Sequence, residues 1–574
     1  MASPVIPSTG VLAPLGLDAV RLTPGFWGDR RELAREVIIE HCLEWMEKLG
    51  WVGNFRGGPS RGREFADSEV YKLLEAMAWA DDPRFDELAA VVVAAQEDDG
   101  YLNTRWSGGR YRDLEWGHEL YCHGHLLQAA VARWRTSGEG PLTDAARRAA
   151  DHVCARFLEG TEACGHPEIE MALVELYRLT GIERYLEMAR RFVERRGRRA
   201  LADVEFGRSY FQDDMPVRSA SVLRGHAVRA LYLSCGAVDV AVETGDGELL
   251  AAVRRQWDRT VERRTHLTGG MGSRHWGESF GDDHELPPDR AYAETCAAVA
   301  SVMLSHRLLL ATGDARYADQ AERTLYNVVA ASPAPDGRSF FYTNPLQVRV
   351  PGRPAQGVNP RATGALRAPW FSVSCCPTNL ARTFASLPAY VATETPDGVQ
   401  LHHPTPCEIR HDGLTLRVET DYPYAGTVTV HVLEAPAEPR RIAFRLPPWA
   451  AGVYVPHQDR PRVWSRGETF AVELPMTARW TRPDPRIDAV RGCVAVERGP
   501  LVYCAESPGD EDRLAEISVD PSAPPIEHAI APDRVELEVT ARHLSGGPVG
   551  LGLLPYHRWG ERGPATMRVW LPAG

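Results

Sequence analysis

The residues that could do chemistry cluster between positions 269 and 379. That stretch opens with Gly269-Gly270-Met271-Gly272-Ser273 and runs through Trp276-Gly277-Glu278-Ser279-Phe280 and Tyr292-Ala293-Glu294-Thr295-Cys296 to Ser374-Cys375-Cys376-Pro377-Thr378-Asn379. It holds the thiols of Cys296, Cys375 and Cys376 beside the carboxylates of Glu278 and Glu294. Three thiolates and one carboxylate make a full tetrahedral set for zinc. The remaining glutamate is then free for proton transfer.

Each part of this constellation also has a plain alternative. Proline is favoured at the first helical position, where its missing N–H is not needed. Pro377 there would put Cys376 at or beside the N-cap and Cys375 just outside, with the positive helix end favouring thiolate. The alternative is two buried thiols where a helix begins. Glu294 and Cys296 stand two apart, which on a helix is a rotation of about 200°. They can share an ion only from a turn or extended segment ahead of a helix starting near Ala297. Pro287-Pro288-Asp289 makes irregular backbone there plausible. The alternative is an ordinary helix with one residue buried and one exposed. Glu278, among Trp and Gly and flanked by His275, Asp282 and Asp283, suits a general acid of raised pKa, or is a loop carboxylate in water.

Histidines add a third layer. His118-Glu119-Leu120-Tyr121, with His123 and His125, heads one predicted helix; His166 precedes another and His226 a third. Helix starts at one end of a ring point toward one pocket. His118, His123 and His125 could also form a second metal site, but i, i+5, i+7 spacing on a helix is poor for one ion.

These residues need elements to position them. The pattern predicts helices near 31–49, 66–80, 84–96, 118–136, 141–158, 167–180, 182–196, 222–243, 247–264, 290–312, 314–332 and 377–392. An internal echo supports pairing: Leu179-Thr180-Gly181 leads into Arg184-Tyr185, Ala311-Thr312-Gly313 into Arg316-Tyr317, and Ala80-Asp81-Asp82-Pro83 into Arg84-Phe85. Stacked helical hairpins result, closing as an (α/α)6 toroid or continuing as an open solenoid; one deep pocket favours the ring. Phe340-Phe341-Tyr342-Thr343-Asn344-Pro345 reads as a short strand over the pocket mouth. The Pro-, Arg- and Gly-rich tract 350–368 is expected to shape one side of the pocket. From about Thr393 short alternating runs with Pro and Gly punctuation indicate antiparallel β-sandwiches. The expected division is a helical catalytic domain over 1–392 with a short N-terminal strand at its start, a β-sandwich over 393–500, and a second, smaller sheet over 501–574.

Composition bounds the function. The 574 residues allow more than one domain. A net charge of −12 argues against nucleic acid or an anionic membrane as partner. The first twenty residues lack a leader pattern and no apolar run of about 18 residues stands out, so a soluble, cytoplasmic protein is expected. The eleven cysteines are odd in number and dilute, which reads as buried free thiols rather than a disulfide framework.

The segments His118-Glu119-Leu120-Tyr121, His166-Pro167-Glu168-Ile169-Glu170, Gly277-Glu278-Ser279-Phe280, Tyr292-Ala293-Glu294-Thr295-Cys296, Phe341-Tyr342-Thr343-Asn344-Pro345-Leu346 and Cys375-Cys376-Pro377-Thr378-Asn379 together resemble glycoside hydrolase family 127 in order and spacing. The resemblance covers about residue 20 to beyond 390. It implies an (α/α)6 barrel followed by β-sandwich domains and a retaining β-L-arabinofuranosidase activity. It implies zinc held by Glu294, Cys296, Cys375 and Cys376, with Cys375 as nucleophile and Glu278 as general acid/base. His118, Tyr121, His166, His226 and Tyr342 match its sugar-contacting positions. A cysteine in place of the usual nucleophilic carboxylate departs from the common glycosidase scheme. The implied partner is a small oligosaccharide or glycoside, and a homo-oligomer formed through the β domains is compatible with the sequence. Two other functions remain: an (α/α) barrel epimerase or lyase using histidine acid/base chemistry, and a non-catalytic carbohydrate-binding protein with structural zinc.

Overall fold

The structure, a computed structural model, describes residues 1–106, 108–353, 357–359, 366–509 and 513–574. Among the described residues six helices form an inner ring: Ala66–Ala80, Glu119–Ser137, Ile169–Thr180, Ala227–Thr244, Thr295–Thr312 and Cys375–Ser386. Each packs on the next, and the last returns to the first. The barrel is therefore closed. Inner helices are buried nearly all round; every residue of Ala66–Ala80 is buried, its charged side chains included.

Outer helices are two-faced. Gly247–Arg263 buries Leu249, Ala252, Val253, Gln256, Trp257 and Thr260 at helical spacing and turns its arginines outward. Phe85–Ala94, Pro141–Phe157, Glu183–Arg195 and Ala315–Thr324 sit likewise behind their inner partners. The sixth outer position is taken by the start of the chain. Phe26–Leu33 continues through the π-helical turn Ala34–Ile38 into Ile39–Leu49 and packs on Cys375–Ser386. Pairing the first long helix with the last is what makes a ring rather than a solenoid.

The echoed turns share one geometry. Asp81, Gly181 and Gly313 end their inner helices in the left-handed region, at φ 53°, 68° and 70°, the usual helix C-terminus. Phe85, Tyr185 and Tyr317 then anchor the outgoing helices, each almost fully buried.

Charges interleaved along the helices read as solvated faces from sequence, and the structure corrects this for the inner ring. Glu175 pairs with Arg135 and Arg178, Asp239 with Arg178 and Arg307, and Glu75 with Arg382, at 2.5–3.0 Å and all buried. These pairs form within one inner helix or between neighbouring ones, where a buried charge persists only if paired. Glu168 is the exception. Its carboxyl is fully buried, without a hydrogen-bond partner, and 3.5 Å from His125, and burial raises its pKa to about 8. The folded state thus keeps a proton that the unfolded chain releases near its ordinary pKa of about 4.3. Stability contributed by this group is present below that value and is lost as pH rises toward 8. Glu168→Gln is expected to raise the melting temperature at pH 8 by several degrees and to flatten its fall between pH 5 and 8, followed by calorimetry.

Contrary to the expectation of no such run, Thr295–Thr312, interrupted only by Arg307, is long and apolar enough to cross a membrane; the helix is buried within the barrel. The β region begins earlier than the texture change suggests. Ala13–Pro14 and Val20–Leu22 pair with strands Ala392–Thr395 and Cys407–His411, so the chain start edges both sheets of the first sandwich. One pair there, Gly398–Leu401 with Arg441–Phe444, is parallel. Strands Ala478–Thr481 and Cys493–Arg498, read with the 393–500 unit, hydrogen-bond instead into the ten-stranded C-terminal sheet. Alternation marks strands without saying which sheet they join. The 340–345 segment makes single bridges, Pro333 to Phe340 and Glu294 to Thr343, rather than a strand. Of the 350–368 tract, residues 354–356 and 360–365 lie outside the described residues; Val358–Asn359 pairs with Trp370–Phe371.

Candidate active site

A cavity of about 440 Å³ opens at the end of the barrel where the inner helices begin. Phe65, His118, His226 and Glu294 are the N-cap residues of four of them. Cys375 is the first residue of the sixth helix, and His166 lies three residues before Ile169–Thr180. All six residues line the cavity. Helix N-termini carry partial positive charge, so their convergence makes a pocket suited to anionic groups.

Helix starts differ from expectation: those predicted at 222 and 290 fall five residues later, at Ala227 and Thr295, and the one expected at Pro377 falls two residues earlier. Cys375–Ser386 begins at Cys375 with Ser374 as N-cap, placing Pro377 third rather than first; the first turn needs no donor there either. Cys296 already lies in the first turn of Thr295–Thr312, while Glu294 is extended at its N-cap. The change of backbone between them brings both side chains to one point.

At that point four donors gather. Cys296 Sγ is 3.5 Å from Cys376 Sγ, Cys375 Sγ is 4.0 Å from Cys376 Sγ, and Cys375 Sγ is 3.4 Å from Glu294 Oε1. Glu294 Oε2 is buried without a partner. Tetrahedral bonds to a metal of about 2.3 Å from sulfur and about 2.1 Å from oxygen would set S···S near 3.8 Å and S···O near 3.6 Å. The donor set fits such an ion. Its electrostatics agree: burial raises Cys296 and Cys376 well above the ordinary thiol value, and hydrogen bonding to Cys296 raises Cys375. Burial, then the charge of Glu278, lifts Glu294 to about 8. Left to themselves the four groups hold their protons; a cation among them would release these.

Glu278 stands beside the cluster, a carboxylate oxygen within 4.8 Å of a Glu294 oxygen and of a His226 ring nitrogen. It sits in the left-handed region at φ 49° after Gly277 at φ 67°, a strained turn of the kind found at functional sites. His226 Nδ1 accepts the backbone N–H of Arg229, leaving Nε2–H to donate to Glu278 Oε2 at 3.0 Å. Burial lowers the His226 pKa and keeps the ring neutral. His166 has the opposite tautomer: Nδ1 donates to the Pro167 carbonyl at 2.9 Å, leaving Nε2 an acceptor. His118 does the same toward the Trp116 carbonyl. Tyr121 packs on His166 at 4.3 Å, and Tyr342 Oη stands 3.4 Å from Cys375 Sγ.

Every sequence-predicted site residue thus lines the cavity except Cys376, which lies buried behind Cys375 and Cys296. His118, His123 and His125 do not converge: His123 packs on Tyr101, and His125 turns toward Glu168. Sequence reading missed two groups. Lys72 Nζ and Thr378 Oγ1 both donate to Glu69, at 2.6 and 2.5 Å, a buried strut from the first inner helix to the helix bearing Cys375; the Glu69/Lys72 spacing was its only signal. Trp116, Glu205, Phe206, Tyr210 and Arg229 form a wall drawn from segments with no shared motif.

A toroid with a pocket of histidines, tyrosines and facing carboxylates suits acid/base chemistry on a carbohydrate. The family description "Beta-L-arabinofuranosidase, GH127 catalytic domain" matches residues 19–389, with the family's middle domain at 398–460 and C-terminal domain at 478–572. A non-reducing end β-L-arabinofuranosidase of Bifidobacterium longum subsp. longum is 34% identical, over 89% of each chain. A GH127 β-L-arabinofuranosidase structure from Geobacillus stearothermophilus T6 superposes with a TM-score of 0.89 at 32% identity, over 97% of this chain and all of that one. A second GH127 β-arabinofuranosidase structure gives 0.88 at 31% identity, over 100% of this chain and 98% of that one. The chain belongs to glycoside hydrolase family 127.

Proposed function

We propose that the chain is a retaining, exo-acting β-L-arabinofuranosidase that uses Cys375 as nucleophile and Glu278 as general acid/base, with zinc held by Glu294, Cys296, Cys375 and Cys376. The convergence of three thiols and a carboxylate at the base of the cavity, beside a second carboxylate, carries this reading. His118 and His166 accept hydrogen bonds from sugar hydroxyls through Nε2 and turn the anomeric carbon toward Cys375. Zinc, when bound, supplies the positive charge that keeps the Cys375 sulfur ionised at neutral pH. Glu278 gives its proton to the glycosidic oxygen as Sγ attacks C1 and the C1–O bond breaks, leaving a thioglycoside. Glu278, now a carboxylate steadied by His226 Nε2–H, takes a proton from water. The resulting hydroxide attacks C1 and the C1–S bond breaks, so two inversions give net retention. A small oligosaccharide or glycoside is the substrate this cavity suits.

The test is elemental analysis beside turnover of an aryl β-L-arabinofuranoside before and after chelation. About one zinc per chain is expected, with activity falling at least about a hundredfold on removal and returning on re-addition. A metal-free, fully active protein would move the search to the histidines.

A further inference from the structure

The wall that sequence reading missed ends in an exposed indole. Trp276 is 65% exposed and lines the cavity mouth. An aromatic ring of that size left in water beside a pocket marks a binding surface. It shares a turn with Glu278, two residues on, so it stands on the side where a leaving group departs. Behind it the rings run in series: Trp276 to Phe206 at 4.9 Å, Phe206 stacked on Tyr210 at 4.7 Å, and Tyr210 to Trp116 at 5.5 Å. The wall is rigidly backed. Arg229, 3% exposed, holds its guanidinium 5.2 Å from the Tyr210 ring and 5.5 Å from Trp116. Gly277 lets the turn press close, since a Cβ there would lie 3.2 Å from Phe206 and 3.4 Å from Tyr210. The rim's exposed charges, Arg63 and Glu205, are one of each sign.

Resting on the function proposed above, we infer that Trp276, backed by Phe206, Tyr210 and Trp116, forms the leaving-group subsite and stacks on the apolar face of a second, neutral sugar ring. The preferred substrate is therefore a glycoside of another sugar rather than of a small alcohol. Ring stacking orients the scissile oxygen toward Glu278 and leaves the nucleophile untouched.

The test compares the parent with Trp276→Ala and Trp276→Phe on a β-L-arabinofuranosyl disaccharide and on methyl β-L-arabinofuranoside. For Trp276→Ala the ratio of kcat/KM, disaccharide over methyl glycoside, is expected to fall at least about tenfold, mainly through KM, with Trp276→Phe recovering most of it. Equal loss on both substrates, or no loss, overturns the subsite. If the parent cleaves neither, the proposed function has failed, and calorimetric titration with neutral disaccharides decides the subsite by itself. Binding weakened about tenfold by Trp276→Ala then sustains it; binding that is absent or unchanged overturns it.

Discussion

Cys375→Ser is expected to lower turnover of an aryl β-L-arabinofuranoside by at least about four orders of magnitude. The reason lies in the atom replaced. A serine hydroxyl in this buried cluster keeps its proton and is a far weaker nucleophile than an ionised sulfur. The fold should survive, because Cys375 contributes one partly buried side chain to a helix start held by the Thr378 hydroxyl donating to Glu69 at 2.5 Å. Circular dichroism, metal content and single-turnover kinetics together check this. Retained turnover in a folded, metal-bearing variant would remove Cys375 from the nucleophile's role and favour histidine chemistry.

Glu278→Gln removes the proton that must reach the leaving oxygen and the base that must activate water. A loss of about 10² to 10⁴ in kcat/KM is expected on an alkyl glycoside. The loss should shrink on an aryl glycoside with an acidic phenol, whose oxygen departs without protonation. Azide, which needs no base, should then attack the thioglycoside and give a glycosyl azide of retained configuration. A loss independent of leaving-group acidity, with no azide product, would mean that Glu278 only shapes the pocket.

The fold was readable wherever the signal is local. The helix positions, their pairing through the turns at Asp81, Gly181 and Gly313, and the switch to strands all follow from periodicity and turn chemistry. Burial in three dimensions was not. An inner helix such as Ala66–Ala80 carries Glu69, Lys72 and Glu75 and looks half-solvated in sequence. Its charges are buried because partners such as Arg382 stand on a helix some three hundred residues away.

Residue type and short spacing were enough to mark Glu294, Cys296, Cys375 and Cys376 as candidate donors, Glu278 as a proton-transfer candidate, and the histidines at helix starts. Tertiary structure decided the rest. Within the closed ring, packing of Thr295–Thr312 against Cys375–Ser386 brings donors 81 positions apart to within 3.4 Å. The same closure sets the aromatic wall from Trp116, Phe206, Tyr210 and Trp276 beside Glu278. Local propensity can say where a helix begins; only the packed ring sets which helix starts share a pocket.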